Sequence, residues 1–413
     1  MESISQKDRT ILRRVAAQQM ELAAAPQMEA LARRWIRHNA CQPGLPMVVV
    51  EWGSFPQEAI TPRLQCEGET ARQVEWRLYA NFIGHLAFGD DSFVPDYMPV
   101  RYGAWFKPFD IDVVVEHIPG SDNSLGHHFR EAIGDLSRDF HLLKPSTFGV
   151  DREGTANTLA LYNDLFGDIL PAKLSGAALY SVPTQHLVHI MSMETMLFSL
   201  YDCPDEFHRM MQMLADDTLR YFRFLEAENL LLPTTRNESV GNGTFAFTDA
   251  LPSQGPLTTR DVWGFMDSQE SAGISPQMYA EFIFPYYQEI AQEYGLMSYG
   301  CCEAVHSIWA DCLSKLPNLR KLSISPWCDE QYMGERLAGS KIVYHRKPSP
   351  NYLGVDAQLD IAALKAHIDG TLTAAKGCTI EFTQRDVYTA HGNMEKIREF
   401  VRIVRQRCQE QGG

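Results

Sequence analysis

The stretch Tyr299-Gly300-Cys301-Cys302-Glu303-Ala304-Val305-His306 places two thiols, a carboxylate and an imidazole within eight residues. The run before it reads as a short strand and the run after it as a helix. A helix N-terminus favours the thiolate, which is the form of cysteine that binds a metal or attacks an electrophile. Cys301, Cys302, Glu303 and His306 are therefore candidate ligands for zinc, whose sites are built from such side chains. The same thiols could instead be small buried residues filling space, as free cysteine often does. Three more clusters could carry chemistry. Gln269-Glu270 follows a strand, where Glu270 would be a metal ligand, a general base or a helix cap. His345-Arg346-Lys347 is a compact basic group in an acidic chain, suited to a carboxylate or phosphate, or else a solvated turn. Glu381, Arg385 and Asp386 close the last strand, with Glu381 a further candidate ligand.

These residues share a periodic context. Short β-branched or aromatic runs recur at Met47 to Trp52, Asp91 to Pro99, Leu174 to Val182, Trp263 to Ser268, Leu296 to Gly300, Leu319 to Ser325, Lys341 to His345 and Thr379 to Thr383. Most precede a helical pattern. From the fourth onward the spacing suits strand–helix units. Eight such units predict an α/β fold, a (β/α)8 TIM barrel, whose active site lies at the C-terminal strand ends. The first turn, Trp52-Gly53-Ser54-Phe55-Pro56, lacks the glycine pattern of a doubly wound sheet. Residues 8–40 predict two amphipathic helices split near Pro26, packed outside the barrel. The organisation expected is a helical extension over 1–40 and one barrel domain over 41–413. Residues 230–260, rich in Gly, Pro, Ser and Thr, predict a long loop, which inside a domain is either functional or disordered. Ser275-Pro276 predicts a capped helix start.

Composition narrows the functions. The 413 residues carry 37 Lys and Arg against 52 Asp and Glu, a net charge of −15. That balance disfavours a nucleic-acid binder, which needs a basic face. No polybasic block and no apolar run of about 20 residues argues for a membrane. Nine cysteines without an apolar leader read as a cytosolic chain without disulfide staples.

Ser275-Pro276-Gln277-Met278-Tyr279-Ala280-Glu281-Phe282 with Pro285-Tyr286 resembles the segment after strand four in the uroporphyrinogen decarboxylase superfamily. Tyr299 to Glu303, Leu316 to Arg320, Ser323 to Trp327 and Arg346-Lys347-Pro348 extend the likeness from about 260 to 405. The superfamily consists of (β/α)8 barrels, which agrees with the strand count. It contains porphyrin decarboxylases and zinc-dependent methyltransferases that move methyl groups between corrinoids and thiols. The decarboxylases' arginine motif after strand one is replaced here by Glu51-Trp52-Gly53-Ser54. The methyltransferases' His-x-Cys appears as Tyr299-x-Cys301, with Cys301 at the thiolate position.

The resemblance therefore implies a corrinoid-dependent methyltransferase. A corrinoid-binding partner protein would present the cofactor, a small molecule would give or accept the methyl group, and zinc would be a second cofactor. Cys301, Glu270 and Asp96 would be catalytic. Tyr299, Trp327, His345, Arg346, Lys347 and Asp386 would contact substrate. Two other readings remain open. One is a decarboxylase or lyase with Asp96 as acid and Arg346 and Lys347 as anion clamps. The other is a barrel that binds a tetrapyrrole or corrinoid without catalysis.

Overall fold

A computed structural model describes residues 4–117 and 127–411. Seven parallel strands form one sheet: β1 (Met47–Val50), β2 (Leu179–Tyr180), β3 (Trp263–Met266), β4 (Leu296–Tyr299), β5 (Leu319–Ile324), β6 (Val343–Arg346) and β7 (Thr379–Gln384). Their order in the ladder is β1-β7-β6-β5-β4-β3-β2. This is the cyclic order of a strand–helix barrel, and the parallel α/β architecture matches expectation. The closed eight-strand ladder does not appear: no backbone ladder joins β2 to β1 among the described residues.

The predicted second strand accounts for the gap. Of residues 91–99, only the last two enter a strand, Met98–Val100, and it pairs with Ala172–Leu174 in a separate two-stranded sheet. Two carboxylates stand where its backbone would be. The Val48 N–H donates to Asp91 (2.8 Å), and the Val50 N–H donates to Asp90 (2.9 Å). One amide, that of Asp91, returns a bond to the Val48 carbonyl. A buried strand edge with orphan N–H groups is costly, so acceptors must come from somewhere.

The N-terminal residues form α1 (Gln6–Ala23), capped by Ser5, and α2 (Pro26–Asn39), opened by Pro26 at its first turn. They are not a detached outer layer. α2 lies across the N-terminal end of the sheet and buries Trp35, His38 and Asn39. Asn39 donates to the carbonyls of Phe245 and Phe247. His38 Nε2 sits 3.2 Å from Glu381, whose same oxygen takes the Lys321 ammonium at 3.0 Å. Lys321 also lies 5.1 Å over the Trp35 ring. Lys321 and Glu381 are fully buried. Such a pair is tolerated only when both ions are partnered, as these are.

The other helices largely follow their sequence signals. Ser275 caps Pro276–Phe282, and Asn393 caps the last helix, Met394–Gln411, by accepting from the Lys396 N–H. Gly377 takes φ +85° just after the helix Ile361–Ala374. The predicted helix from Val305 to Leu316 is reduced to two short 3-10 turns, Val305–Ile308 and Leu313–Lys315. Val115–His117 runs antiparallel to His127–Phe129, and residues 118–126 lie outside the described part. No helix among the described residues is long and apolar enough to cross a membrane.

Candidate functional site

Alternation along each strand sends every second side chain into the curl of the sheet. On β7 these are Glu381, Thr383 and, just past its end, Arg385. On β6 they are His345 and Lys347, on β5 Lys321 and Ser323, and on β3 Trp263, Phe265 and Asp267. The contacts sort them into layers. Lys321 and Glu381 form the floor. His345 Nε2 bonds Thr383 Oγ1 at 2.8 Å in the middle. Lys347, Arg385, Asp267 and Cys301 lie at the C-terminal strand ends, where such folds place their chemistry.

The loop between 230 and 260 fills the interior from above. Val240, Thr244, Ala246 and Phe247 are buried. Gly241 (φ +96°) lets the backbone run so close to Phe265 that a Cβ would fall 2.2 Å from its ring. Asn242 then spans the mouth: it donates to the Gly300 carbonyl and accepts from Arg385 Nη1. The predicted long loop is thus part of the site's wall.

The thiols sit in a cationic corner. Cys301 Sγ lies 3.7 Å from Cys302 Sγ and receives Arg385 Nη1 at 3.3 Å. Lys347 Nζ is 3.4 Å from the carbonyls of Gly300 and Cys301. Asp386 pairs with Arg385 Nε at 3.1 Å and approaches Cys302 Sγ at 3.9 Å. The pair shares its protons unequally. Cys302 is pushed below the ordinary thiol range, chiefly because Cys301 donates to it. Cys301, as donor and buried, is pushed up. Burial and the neighbouring Arg385 push Lys347 down to about 8. The cations beside the thiols do the work that the sequence assigned to a helix N-terminus, since only two short 3-10 turns, Val305–Ile308 and Leu313–Lys315, follow Cys302 before the α-helix at Glu330.

Glu303 is pinned as a support. Its carboxylate accepts the N–H groups of Cys301 (2.7 Å) and Ser268 (3.0 Å). Glu270, in a short turn after β3, accepts from Thr184 Oγ1 at 2.9 Å. Asp267 is different: it is buried, and its Oδ1 has no hydrogen-bond partner among the described residues. Burial, with the nearby charges of Glu303 and Cys301, pushes it up to about 8. It holds its proton at neutral pH. Asp267 carries no separate sequence signal, since it falls inside the predicted strand Trp263 to Ser268.

Several expected contacts fall elsewhere. Asp96 is exposed, and the buried acids of that segment are Asp90 and Asp91. Tyr299 faces away from the interior and bonds Tyr279 Oη at 2.8 Å. Arg346 also faces outward, locked to Glu330 and to the carbonyls of Ile324 and Ser325. Trp327 is 73% exposed. His345 is enclosed at mid-depth, where burial pushes it to about 3 and keeps it neutral. Of the expected substrate contacts, Lys347 and Asp386 join the cluster.

The zinc set does not assemble. Glu381 lies four residues before Arg385 along β7, roughly 13 Å lower at ~3.3 Å per residue, and its charge is spent on Lys321 and His38. Glu303 is spent on backbone N–H groups, and His306 Nδ1 accepts from the Asp329 N–H. Among the described residues no three His, Cys, Asp or Glu side chains gather as a metal site. The residues present do not fit zinc.

Beside the cluster lies a cavity of about 1130 Å³. Arg385, Asn242 and Glu51 form its inner wall, and Trp52, Trp76 and Tyr97 line its outer part. Val49, Val50 and Tyr180 also line it, so it opens through the gap left by the missing strand. Cys301 lies behind Arg385 and does not itself line the space. Arg385, Asn242 and Glu51 carry weak sequence signals; the Asn242-Gly243 pair inside a long loop was the usable one.

No family model matches the chain, and no curated protein matches it. Among solved structures it is similar to a methyltransferase from Methanosarcina mazei, with a TM-score of 0.52 at 10% identity. The match covers 91% of this chain and 98% of that one. The likeness is one of fold. It spans nearly the whole of both chains.

Proposed function

We propose that this chain is a methyltransferase of the uroporphyrinogen decarboxylase-like kind, moving a methyl group between a corrinoid on a partner protein and a small acceptor. The observation that carries this is the cation-held dithiol behind Arg385, whose side chain lines a large cavity at the strand ends. Methyl transfer needs a strong nucleophile held in line with the carbon, and positioning alone is worth several powers of ten. Cys302, to which Cys301 donates and beside which stand a guanidinium and an ammonium, carries the thiolate that serves as this nucleophile. The cavity exceeds the ~300–1,000 Å³ of ordinary small-ligand sites, which suits a flat macrocycle with a small molecule beside it. The fold shared with a methyltransferase supports the same reading.

The corrinoid, when presented, supplies a cobalt that gives up or takes a methyl group. This chain's residues do the rest. Arg385 swings from Cys301 towards the cavity or stays as the thiolate's counter-ion. Lys347, at about 8, gives or takes the proton that the acceptor exchanges. Asn242 fixes Arg385. No step runs through zinc. The lyase reading lacks its parts: Asp96 faces solvent and Arg346 is tied to Glu330.

The test is to mix the protein with methylcobalamin and a series of thiols and folates, and to follow the corrin absorbance. Cys302→Ser, which removes the thiolate, is expected to slow the change at least about tenfold, or ~1.4 kcal/mol in the barrier. No spectral change with any acceptor, even with a corrinoid protein supplied, refutes the proposal.

A further inference from the structure

Cys301 and Cys302 are the only two cysteine sulfurs in contact among the described residues. Their surroundings differ. The backbone of Cys301 is clamped from three sides: Glu303 takes its N–H, while the Ser323 hydroxyl (2.8 Å) and Lys347 reach its carbonyl. Cys302 is half-buried, and the chain from 301 to 304 is neither helix nor strand. One thiol is therefore fixed and enclosed, and the other is half-buried and reachable. Cys302 is also the member of the pair that loses its proton more readily.

We propose that Cys301 and Cys302 form a thiol–disulfide site that closes on two-electron oxidation by a peroxide and reopens with a dithiol reductant. The Cys302 thiolate attacks one peroxide oxygen, the O–O bond breaks, and hydroxide leaves, giving a sulfenic acid. Cys301 sulfur then attacks Cys302 sulfur. The S–S bond forms, the S–O bond breaks, and the leaving hydroxide takes the Cys301 proton as water. Two thiols lose two electrons, and peroxide becomes two waters. Arg385 and Lys347 stabilise the thiolate and the departing hydroxide.

The sulfurs must close from 3.7 Å to about 2.05 Å, which takes adjustment of the irregular 301–304 backbone as well as of the side chains. Adjacent Cα atoms lie ~3.8 Å apart, below the usual ~4.4–6.8 Å of disulfides. The ring is therefore strained, and strained disulfides are the easily reduced, regulatory ones. Closure also removes the sulfur charge that Arg385 faces. Its consequence, a methyl-transfer site shut by oxidation, rests on the proposed function; the disulfide itself does not.

The experiment treats the reduced full-length protein with hydrogen peroxide and follows intact mass, thiol count and peptide maps. The expected result is a mass lower by two hydrogens and a 301–302 disulfide. It should form at least about tenfold faster than oxidation at any of the other seven cysteines, and dithiothreitol should reverse it. Cys301→Ser should stop at a sulfenic acid on Cys302 that dimedone captures, and Cys302→Ser should give neither product. Over-oxidation of Cys302 without the disulfide, or faster oxidation elsewhere, overturns the proposal; the wild-type map decides this even if a variant does not fold. A disulfide in a protein without methyl-transfer activity removes only the functional reading.

Discussion

Asp267→Asn is expected to stabilise the protein increasingly as pH rises. The carboxyl is buried, its Oδ1 is unpartnered, and its pKa goes from an ordinary 3.8 to about 8. The folded state therefore keeps a proton that the unfolded chain loses above about pH 4. Stability from this group is intact below that value, falls as pH rises towards 8, and is constant above it. At ~1.4 kcal/mol per pH unit, the full loss is on the order of 5–6 kcal/mol. Asparagine keeps the shape and does not titrate, so it escapes this loss. Urea denaturation of both proteins should show the gap widening by about 2–3 kcal/mol between pH 5 and pH 7. The window stops where Lys347 begins to titrate. All other groups are common to both proteins and cancel. A gap that stays constant across this window would mean that Asp267 is ionised in the fold, and the account of a held proton would be refuted.

Three further outcomes are expected. Glu381→Gln strips the Lys321 ammonium of its counter-ion in a fully buried floor and should cost about 3–5 kcal/mol in urea denaturation. Gly241→Ala puts a methyl group against Phe265 at positive φ and should cost about 1–3 kcal/mol or more; it should also weaken methyl transfer, because the next residue, Asn242, holds Arg385. Arg385→Gln removes a cation from the thiols, so iodoacetamide should alkylate Cys302 about tenfold more slowly at pH 7 and recover at higher pH.

What the sequence could tell depended on the kind of signal. Strands β3 to β7 are runs with one side in the interior, and their β-branched and aromatic content showed through. The Ser275 cap, Pro26 and Gly377 carry local backbone rules and were legible for that reason. The segment after β1 was not legible. Asp91 to Pro99 has a strand's composition, but Asp90 and Asp91 spend their carboxylates on Val48 and Val50, which no periodicity reveals. The placing of Cys301, Cys302, Lys347 and Asp386 at one mouth followed from strand ends alone. Misassignment came from facing: Tyr299 and Arg346 are one residue out of phase with the interior, and Glu381 is two layers too deep. Arg385 and Asn242 meet across 143 residues of chain, a contact that only the folded loop creates.

The floor ties the chain's early and late parts together. His38 and Glu381 are 343 residues apart in sequence. At ribosomal rates of ~5–20 residues per second, roughly 17–70 s separate their synthesis. Through that interval α2 has emerged with Trp35 and His38, and the imidazole lacks its carboxylate partner. Lys321 appears next, still without its anion. The enclosed charge cluster can be neutralised only when β7 is made, so the last strand acts as a keystone. A nascent chain stalled before residue 381 would present an indole, an imidazole and an ammonium to whatever chaperone is at hand, and release from that chaperone would coincide with the arrival of Glu381.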